Sequence, residues 1–165
     1  DLIEITALRD DELDVDIPQM VFHARADDII DLASFTRLTE KTIWQALEAS
    51  GVAYVDWTAT KEYEGQKVVL HIYLEPKDGL ATAEPIRTRV HEALIALDPF
   101  YADLSNMLGV DPLRLTLLSP GSFHRYYLAR QAEGADLAHL KPPHMNAAQT
   151  VLQKLLRASA DGQQE

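Results

Sequence analysis

One lysine of this sequence stands where its neighbours are expected to hold it away from the protein. Lys141 is followed at once by Pro142 and Pro143. A residue before proline is pushed out of the helical region, and proline fixes its own backbone angle, so the chain here is predicted to be extended and stiff. A lysine held outward in this way can neutralise negative charge that grows on an oxyanion or a phosphate. Taken alone, however, the pattern is more typical of a surface lysine in an extended connector.

A second group of charged residues comes directly after a predicted strand. Arg25, Asp27 and Asp28 follow the stretch QMVFHA, where the chain must turn. Aspartates in such turns commonly accept hydrogen bonds from nearby backbone N–H groups. The local chemistry therefore favours a polar turn over a binding site.

Other kinds of active site find no support in the sequence. The absence of cysteine excludes thiolate catalysis, disulfides and cysteine-bound zinc. The six histidines form no HExxH or HxH pattern, and His139 and His144 have a poor spacing for zinc, so no metal site is predicted. Ser119 and Ser122 in SPGSF do not match the GxSxG elbow of serine hydrolases and are interpreted as a turn that leads into a helix. The glycine-rich phosphate-binding motifs GxGxxG and GxxxxGK(S/T) do not occur.

Composition narrows the possible partners. A length of 165 residues predicts one domain, and the net charge of −11 predicts a surface that repels nucleic acid and anionic lipid. The sequence has no apolar run of the roughly 18 residues needed to cross a membrane, and its first residues do not resemble a signal peptide. We therefore expect no nucleic-acid or membrane partner and a cytoplasmic location.

The elements that must position these residues follow from hydrophobic periodicity and from start and stop signals. Thr39 is a candidate N-cap for the first helix, and Gly51 is its expected end. The segment 26–35 is interpreted as short and irregular. Strands are predicted at 1–8, 19–24, 52–63, 66–76 and 112–119, and helices at 38–50, from 82 or 83 to 97, at 100–108, 120–134 and 146–159.

The order of these elements predicts the fold class. The central α-β-β-α-β order is most of a split βαβ unit. We therefore expect an α+β fold, a two-layer sandwich of the ferredoxin-like type, whose mixed or antiparallel sheet carries helices mainly on one face.

Together, these pieces resemble the C-terminal portion of adenylate-forming enzymes. A strand after Asp1, a second strand that runs into ARADDIIDL, a helix, a hairpin and a late lysine loop follow one another as in acyl-CoA synthetases, luciferases and nonribosomal-peptide adenylation domains. The stretches DIPQMVFHARADDIIDL and LRLTLLSPGSFHRYYLARQAEGADLAHLKPP most resemble the auxin-responsive acyl-acid amido synthetase family (Gretchen Hagen three). The resemblance spans roughly residues 1–146.

The resemblance implies roles for four residues. Asp1 corresponds to an aspartate that binds the ribose hydroxyls of ATP, and Arg25 to an arginine of the nucleotide-binding motif. Asp27 corresponds to the hinge between the large and small domains. Lys141 corresponds to the catalytic lysine, which contacts the acyl carboxylate and the α-phosphate during adenylation.

The resemblance also implies a domain organisation and an activity. Residues 1–24 would be strands that lead from a missing N-terminal large domain, 25–158 the C-terminal small domain, and 159–165 a tail. The intact enzyme would use ATP and Mg²⁺ to activate a small carboxylic acid and would pass the acyl group to an amine, with an amino acid favoured over a thiol. The fragment alone would be inactive and would bind neither ATP nor Mg²⁺. Two alternatives stay open: a stand-alone ferredoxin-like binding or oligomerisation module, and a regulatory domain for a small ligand.

Overall fold

The computed structural model describes residues 2–24, 28–65, 67–77, 82–108, 111–136 and 140–162. The strands are β1 (Leu2–Ala7), β2 (Gln19–Ala24), β3 (Ile29–Leu32), β4 (Thr36–Thr39), β5 (Tyr54–Glu64), β6 (Lys67–Pro76) and β7 (Leu113–Leu117). The helices are α1 (Glu40–Ala49), α2 (Ala83–Leu97), α3 (Pro99–Leu108), α4 (Ser122–Ala132) and α5 (Gln149–Asp161). The described elements confirm the predicted α+β class. None of the helices in this described part is long and apolar enough to cross a membrane.

A three-stranded mixed sheet forms the centre of the molecule, with the order β5-β6-β7. Strands β5 and β6 are antiparallel and form the predicted hairpin, whose turn includes Gly65 at a φ of 64°. Glycine suits this position because a residue with a Cβ is strained at positive φ. Strands β6 and β7 are parallel, and α2 and α3 lie between them in the chain.

The sheet differs in two respects from the expected ferredoxin-like sandwich. Because β6 and β7 are hydrogen-bonded neighbours, the βαβ unit is not split by another strand. Helices also cover both faces, since neighbouring side chains of a strand point to opposite sides. Ile72 and Leu74 pack in a core cluster with residues of α1 and α2, whereas Tyr73 packs in a second cluster with residues of α4 and α5.

The segment that was expected to be irregular contains a second hairpin. Strand β3 pairs with β4, and Ile30, Leu32 and Leu38 are fully buried in the core. Ala33 and Ser34 form the turn, each at a φ of 58°. The connection between the strands has three residues, 33–35, and two successive residues at positive φ are usually glycine or asparagine, neither of which is present here. The sequence therefore lacks the usual signal for the turn.

The first two strands were predicted, and they pair with each other as a separate antiparallel ribbon, with Glu4 opposite Val21. Ile3, Ile5 and Met20 are each more than half exposed. Apolar side chains in such number on one small ribbon are unusual for a free surface.

Candidate functional site

The lysine loop, residues 140–146, lies along the free edge of β5. The backbone N–H of Ala59 donates to the carbonyl of His144 at 2.7 Å, and the N–H of Asn146 donates to the carbonyl of Ala59 at 2.8 Å. The loop thus adds a short parallel bridge to the sheet, between Ala59 and Met145. A loop that shares hydrogen bonds with a sheet is held more firmly than one that is fully solvated.

Burial alternates along this loop and decides which side chain faces outward. Leu140 and Met145 are 2% and 3% exposed, and Pro142 is buried. The side chain of Lys141, between two buried residues, is 78% exposed. The structure therefore presents Lys141 as the sequence predicts, on a stiff and anchored base.

A chain of charged groups connects this lysine to helix α1. The ammonium Nζ of Lys141 lies 3.7 Å from Oδ2 of Asp56 in β5. The other oxygen of Asp56, Oδ1, lies 2.9 Å from Nε2 of His144, whose Nδ1 lies 2.5 Å from Oε1 of Glu40. The ring of His144 also stacks on Trp57, with ring centroids 4.6 Å apart. The histidine therefore joins two carboxylates that are both distant from it in the sequence.

The protonation of Asp56 and His144 follows from their contacts. The hydrogen bond to Asp56 raises the pKa of His144 above its ordinary value of 6.5, against the opposite effect of burial, and Glu40 contributes in the same direction. Burial alone would raise the pKa of Asp56, but hydrogen bonds from His144 and from the N–H of Trp57, with the charges of His144 and Lys141, hold it below 3.8. Near neutral pH, Asp56 is therefore ionised and His144 has a strengthened tendency to carry its proton.

Local structure explains why Glu40 reaches the loop. Thr39 caps α1, since its side chain accepts a hydrogen bond from the N–H of Thr42 at 3.2 Å, and Glu40 is the first residue of the helix. The C-terminal end is marked by Gly51 at a φ of 68°. Both helix-end predictions are confirmed, and the cap places the carboxylate of Glu40 beside the imidazole ring.

A cleft of about 320 Å³ opens beside Lys141. Phe123 and Tyr127 of α4 form part of its wall, together with Val55, Asp56, His124, Lys141 and Pro142. Helix α4 is held in place by a buried carboxylate of β6, because Glu75 accepts hydrogen bonds from the N–H groups of Gly121 at 2.6 Å and Phe123 at 2.9 Å. An exposed cation at the edge of a largely apolar cleft suits a ligand that has an apolar body and an anionic group.

Of the four predicted site residues, the structure places one. Lys141 lies at the cleft, while Asp1, Arg25 and Asp27 lie outside the described residues. The predicted turn of SPGSF before a helix is found, with Gly121 as the N-cap of α4. Within the described ranges, no group of three or more His, Cys, Asp or Glu residues could hold a metal ion.

Sequence reasoning missed Asp56, His144 and Glu40 as members of the site. Glu40 and His144 are 104 positions apart, and no local pattern links residues at such a separation. The pairing of β5 with the lysine loop is what brings them together.

We expect Thr58→Val to loosen the lysine loop. Thr58 is fully buried, and its hydroxyl donates to the carbonyl of Pro143 at 2.7 Å. Valine keeps the shape but removes the donor, which costs about 1 kcal/mol of folding free energy. Amide hydrogen exchange at Ala59 and Asn146 should become faster than in a Thr60→Val control, two positions along the same strand. Unchanged exchange at both amides would contradict this anchoring role.

Comparison with known proteins identifies the fold. No family model and no curated protein matches the sequence. The structure, however, is similar to that of GH3.15 acyl acid amido synthetase, with a TM-score of 0.64 and 17% sequence identity over 87% of this chain. The fold is that of a segment of an acyl acid amido synthetase. A second structure, AtGH3.15 acyl acid amido synthetase in complex with 2,4-DB, gives a TM-score of 0.59 and 20% identity over 86% of this chain.

The shared acyl acid amido synthetase fold accounts for only part of those proteins. This chain spans 28% of the length of the first structure and 27% of the second.

Proposed function

We propose that this chain is the C-terminal domain of an ATP-dependent acyl-adenylating enzyme. Such an enzyme activates a small carboxylic acid as its acyl-adenylate and transfers the acyl group to an amine, most suitably an amino acid. The observation that carries the proposal is the fold shared with GH3.15 acyl acid amido synthetase over 87% of this chain. Because the match spans 28% of that chain, it fits one domain of a longer polypeptide.

In this proposal, Lys141 supplies a mobile positive charge to the reacting groups. Its 78% exposed side chain and anchored base support this role, because a cation that reaches across a domain boundary must be solvent-accessible and well aimed. It would stabilise the negative charge shared by the acyl carboxylate and the α-phosphate. The proposal keeps Asp1 and Arg25 as nucleotide contacts and Asp27 as the hinge, and it assigns ATP and Mg²⁺ to the full-length cytoplasmic enzyme.

The partner of this domain would be the N-terminal large domain of the same polypeptide. The β1–β2 ribbon supports this, because Ile5 and Met20 are 57% and 59% exposed on it. A contiguous apolar surface of this kind is stabilised when a second domain covers it. The two domains together would enclose the acyl-adenylate and exclude water from it.

The test is acid-dependent exchange of pyrophosphate into ATP by the full-length protein. A panel of aromatic and aliphatic carboxylic acids should reveal at least one that supports exchange with Mg²⁺, and adding amino acids should then yield amides detectable by mass spectrometry. Adding a thiol such as coenzyme A in parallel tests the other acceptor. No exchange with any acid, combined with stabilisation or self-association of this domain by itself, would favour the stand-alone binding or oligomerisation module instead.

A further inference from the structure

We infer that Asp56 and His144 are positioning residues for Lys141. The two oxygens of the Asp56 carboxylate have different neighbours: Oδ1 lies 2.9 Å from Nε2 of His144, and Oδ2 lies 3.7 Å from the ammonium of Lys141. The histidine and the lysine thus compete for one negative charge. The inference rests on the proposed function, since it assigns control of the same lysine.

The protonation of His144, which contacts Oδ1, determines how strongly Oδ2 attracts Lys141. An imidazolium donates from both ring nitrogens, so protonated His144 satisfies Asp56 and Glu40 at the same time. It also neutralises much of the charge of Asp56, which leaves Lys141 in a long and exposed ion pair. Such pairs contribute little to stability and are easily broken. Lys141 can then leave the cleft edge for the substrate.

When His144 loses its proton, Lys141 is no longer free to leave Asp56. A neutral imidazole has one N–H donor, so it can no longer donate to both carboxylates. Asp56 then loses the compensating charge of the imidazolium and keeps the hydrogen bond from the N–H of Trp57, in a site where its side chain is only 18% exposed. The nearest remaining cation is Lys141. We therefore expect Asp56 to hold Lys141 more tightly when His144 is neutral.

The pH range follows from the two shifts. His144 has a raised pKa, so its contribution to folding stability is complete below its ordinary pKa of 6.5 and is lost as pH rises through the raised pKa. Asp56 has a lowered pKa, so its contribution to folding stability is present above its ordinary pKa of 3.8 and is lost as pH falls through the lowered pKa. Glu40 from α1 and Lys141 from the loop face this pair, Tyr54 of β5 interacts with the charge of Asp56, and His124 and Tyr127 of α4 line the same cleft. Both carboxylates are positioned to keep the histidine protonated, so release of Lys141 is favoured below the raised pKa of His144 and is lost as pH rises through it.

The test is the pH profile of acid-dependent pyrophosphate exchange in the full-length protein. We expect His144→Gln to lower kcat by about tenfold, the effect of one lost charge-assisted hydrogen bond, with the KM for the acid unchanged. The fall of the wild-type rate with rising pH should disappear in this variant. A control variant, His91→Gln on α2, removes a histidine outside the cleft wall and should keep the wild-type pH profile.

A second substitution separates positioning from mere structural support. Adding Asp56→Asn to His144→Gln removes the charge that retains Lys141, so kcat should recover towards the wild-type value. If Asp56 and His144 only hold the loop in place, the double variant should instead be slower than His144→Gln. That slower rate, or a His144→Gln pH profile equal to that of the wild type, would overturn the inference.

A measurement without catalysis keeps this inference distinct from the proposed function. The side-chain NMR signal of Lys141 in the full-length protein should shift as His144 titrates, and this shift should vanish in His144→Gln. If the shift occurs but no acid supports exchange, the positioning is correct and the proposed function is wrong. If exchange occurs and depends on Lys141 but the shift is absent, the proposed function holds and the inference fails.

Discussion

We expect Lys141→Ala to lower acid-dependent pyrophosphate exchange by the full-length protein by about a hundred- to a thousandfold. The alanine removes the cation proposed to stabilise the developing negative charge, and no other lysine or arginine shares the described cleft. The fold should be unaffected, because the side chain is 78% exposed and its ion pair with Asp56 is long. Unfolding in urea should therefore give the wild-type midpoint.

Two matched variants make this result specific. Lys41→Ala removes the same charge from an exposed position on α1 and should leave exchange unchanged. Lys141→Arg keeps the charge but replaces a compact ammonium with a larger planar group, so it should recover only part of the activity. Exchange by Lys141→Ala at the wild-type rate would remove this lysine from the adenylation step.

A separate assay asks whether Lys141 serves adenylation alone. A chemically prepared acyl-adenylate bypasses the first step, so the full-length protein then needs only to transfer the acyl group to the amine. If Lys141 acts only on ATP and the acid, Lys141→Ala should transfer this acyl group at the wild-type rate. An equal loss in both steps would show that the lysine also stabilises the second transition state.

Local signals in the sequence predicted local structure well. The cap at Thr39 and the helix end at Gly51 each depend on a few neighbouring residues, and both are correct. The β3–β4 hairpin was missed because its turn uses Ala33 and Ser34, which rarely adopt positive φ. There, burial of Ile30 and Leu38 outweighs the intrinsic cost of the turn.

Arrangements that depend on distant contacts were not predictable from one sequence. Hydrophobic periodicity predicted the last helix, α5, but it cannot say which face of the sheet receives that helix. The contacts of the candidate site were equally unpredictable where they depend on residues distant in the sequence. Lys141 was recognisable because proline restricts its immediate neighbours, whereas Asp56 contacts it only because the lysine loop pairs with β5.

The largest effect on stability should come from Glu75, which links the sheet to the wall of the cleft. Its carboxylate is 3% exposed and accepts hydrogen bonds from the N–H groups of Gly121 and Phe123, at the beginning of α4. A negative charge is favoured here because the helix dipole presents its positive end and the first N–H groups have no partner within the helix. Glu75→Ala would leave both donors without this partner and should cost about 2–4 kcal/mol of folding free energy.

Variants at both ends of α4 can isolate this contribution. Glu75→Gln keeps the volume but has one acceptor oxygen, so its cost should be smaller, about 1–2 kcal/mol. Glu133→Gln, at the C-terminal end, disrupts only exposed ion pairs with Arg130 and Lys154 and should cost much less than Glu75→Ala. Urea unfolding with an unchanged m-value measures all three. A Glu75→Ala cost no greater than that of Glu133→Gln would mean that the buried carboxylate does not hold α4. If the cost is as large as expected, Phe123 and Tyr127 owe their positions beside Lys141 to a charge buried in the sheet.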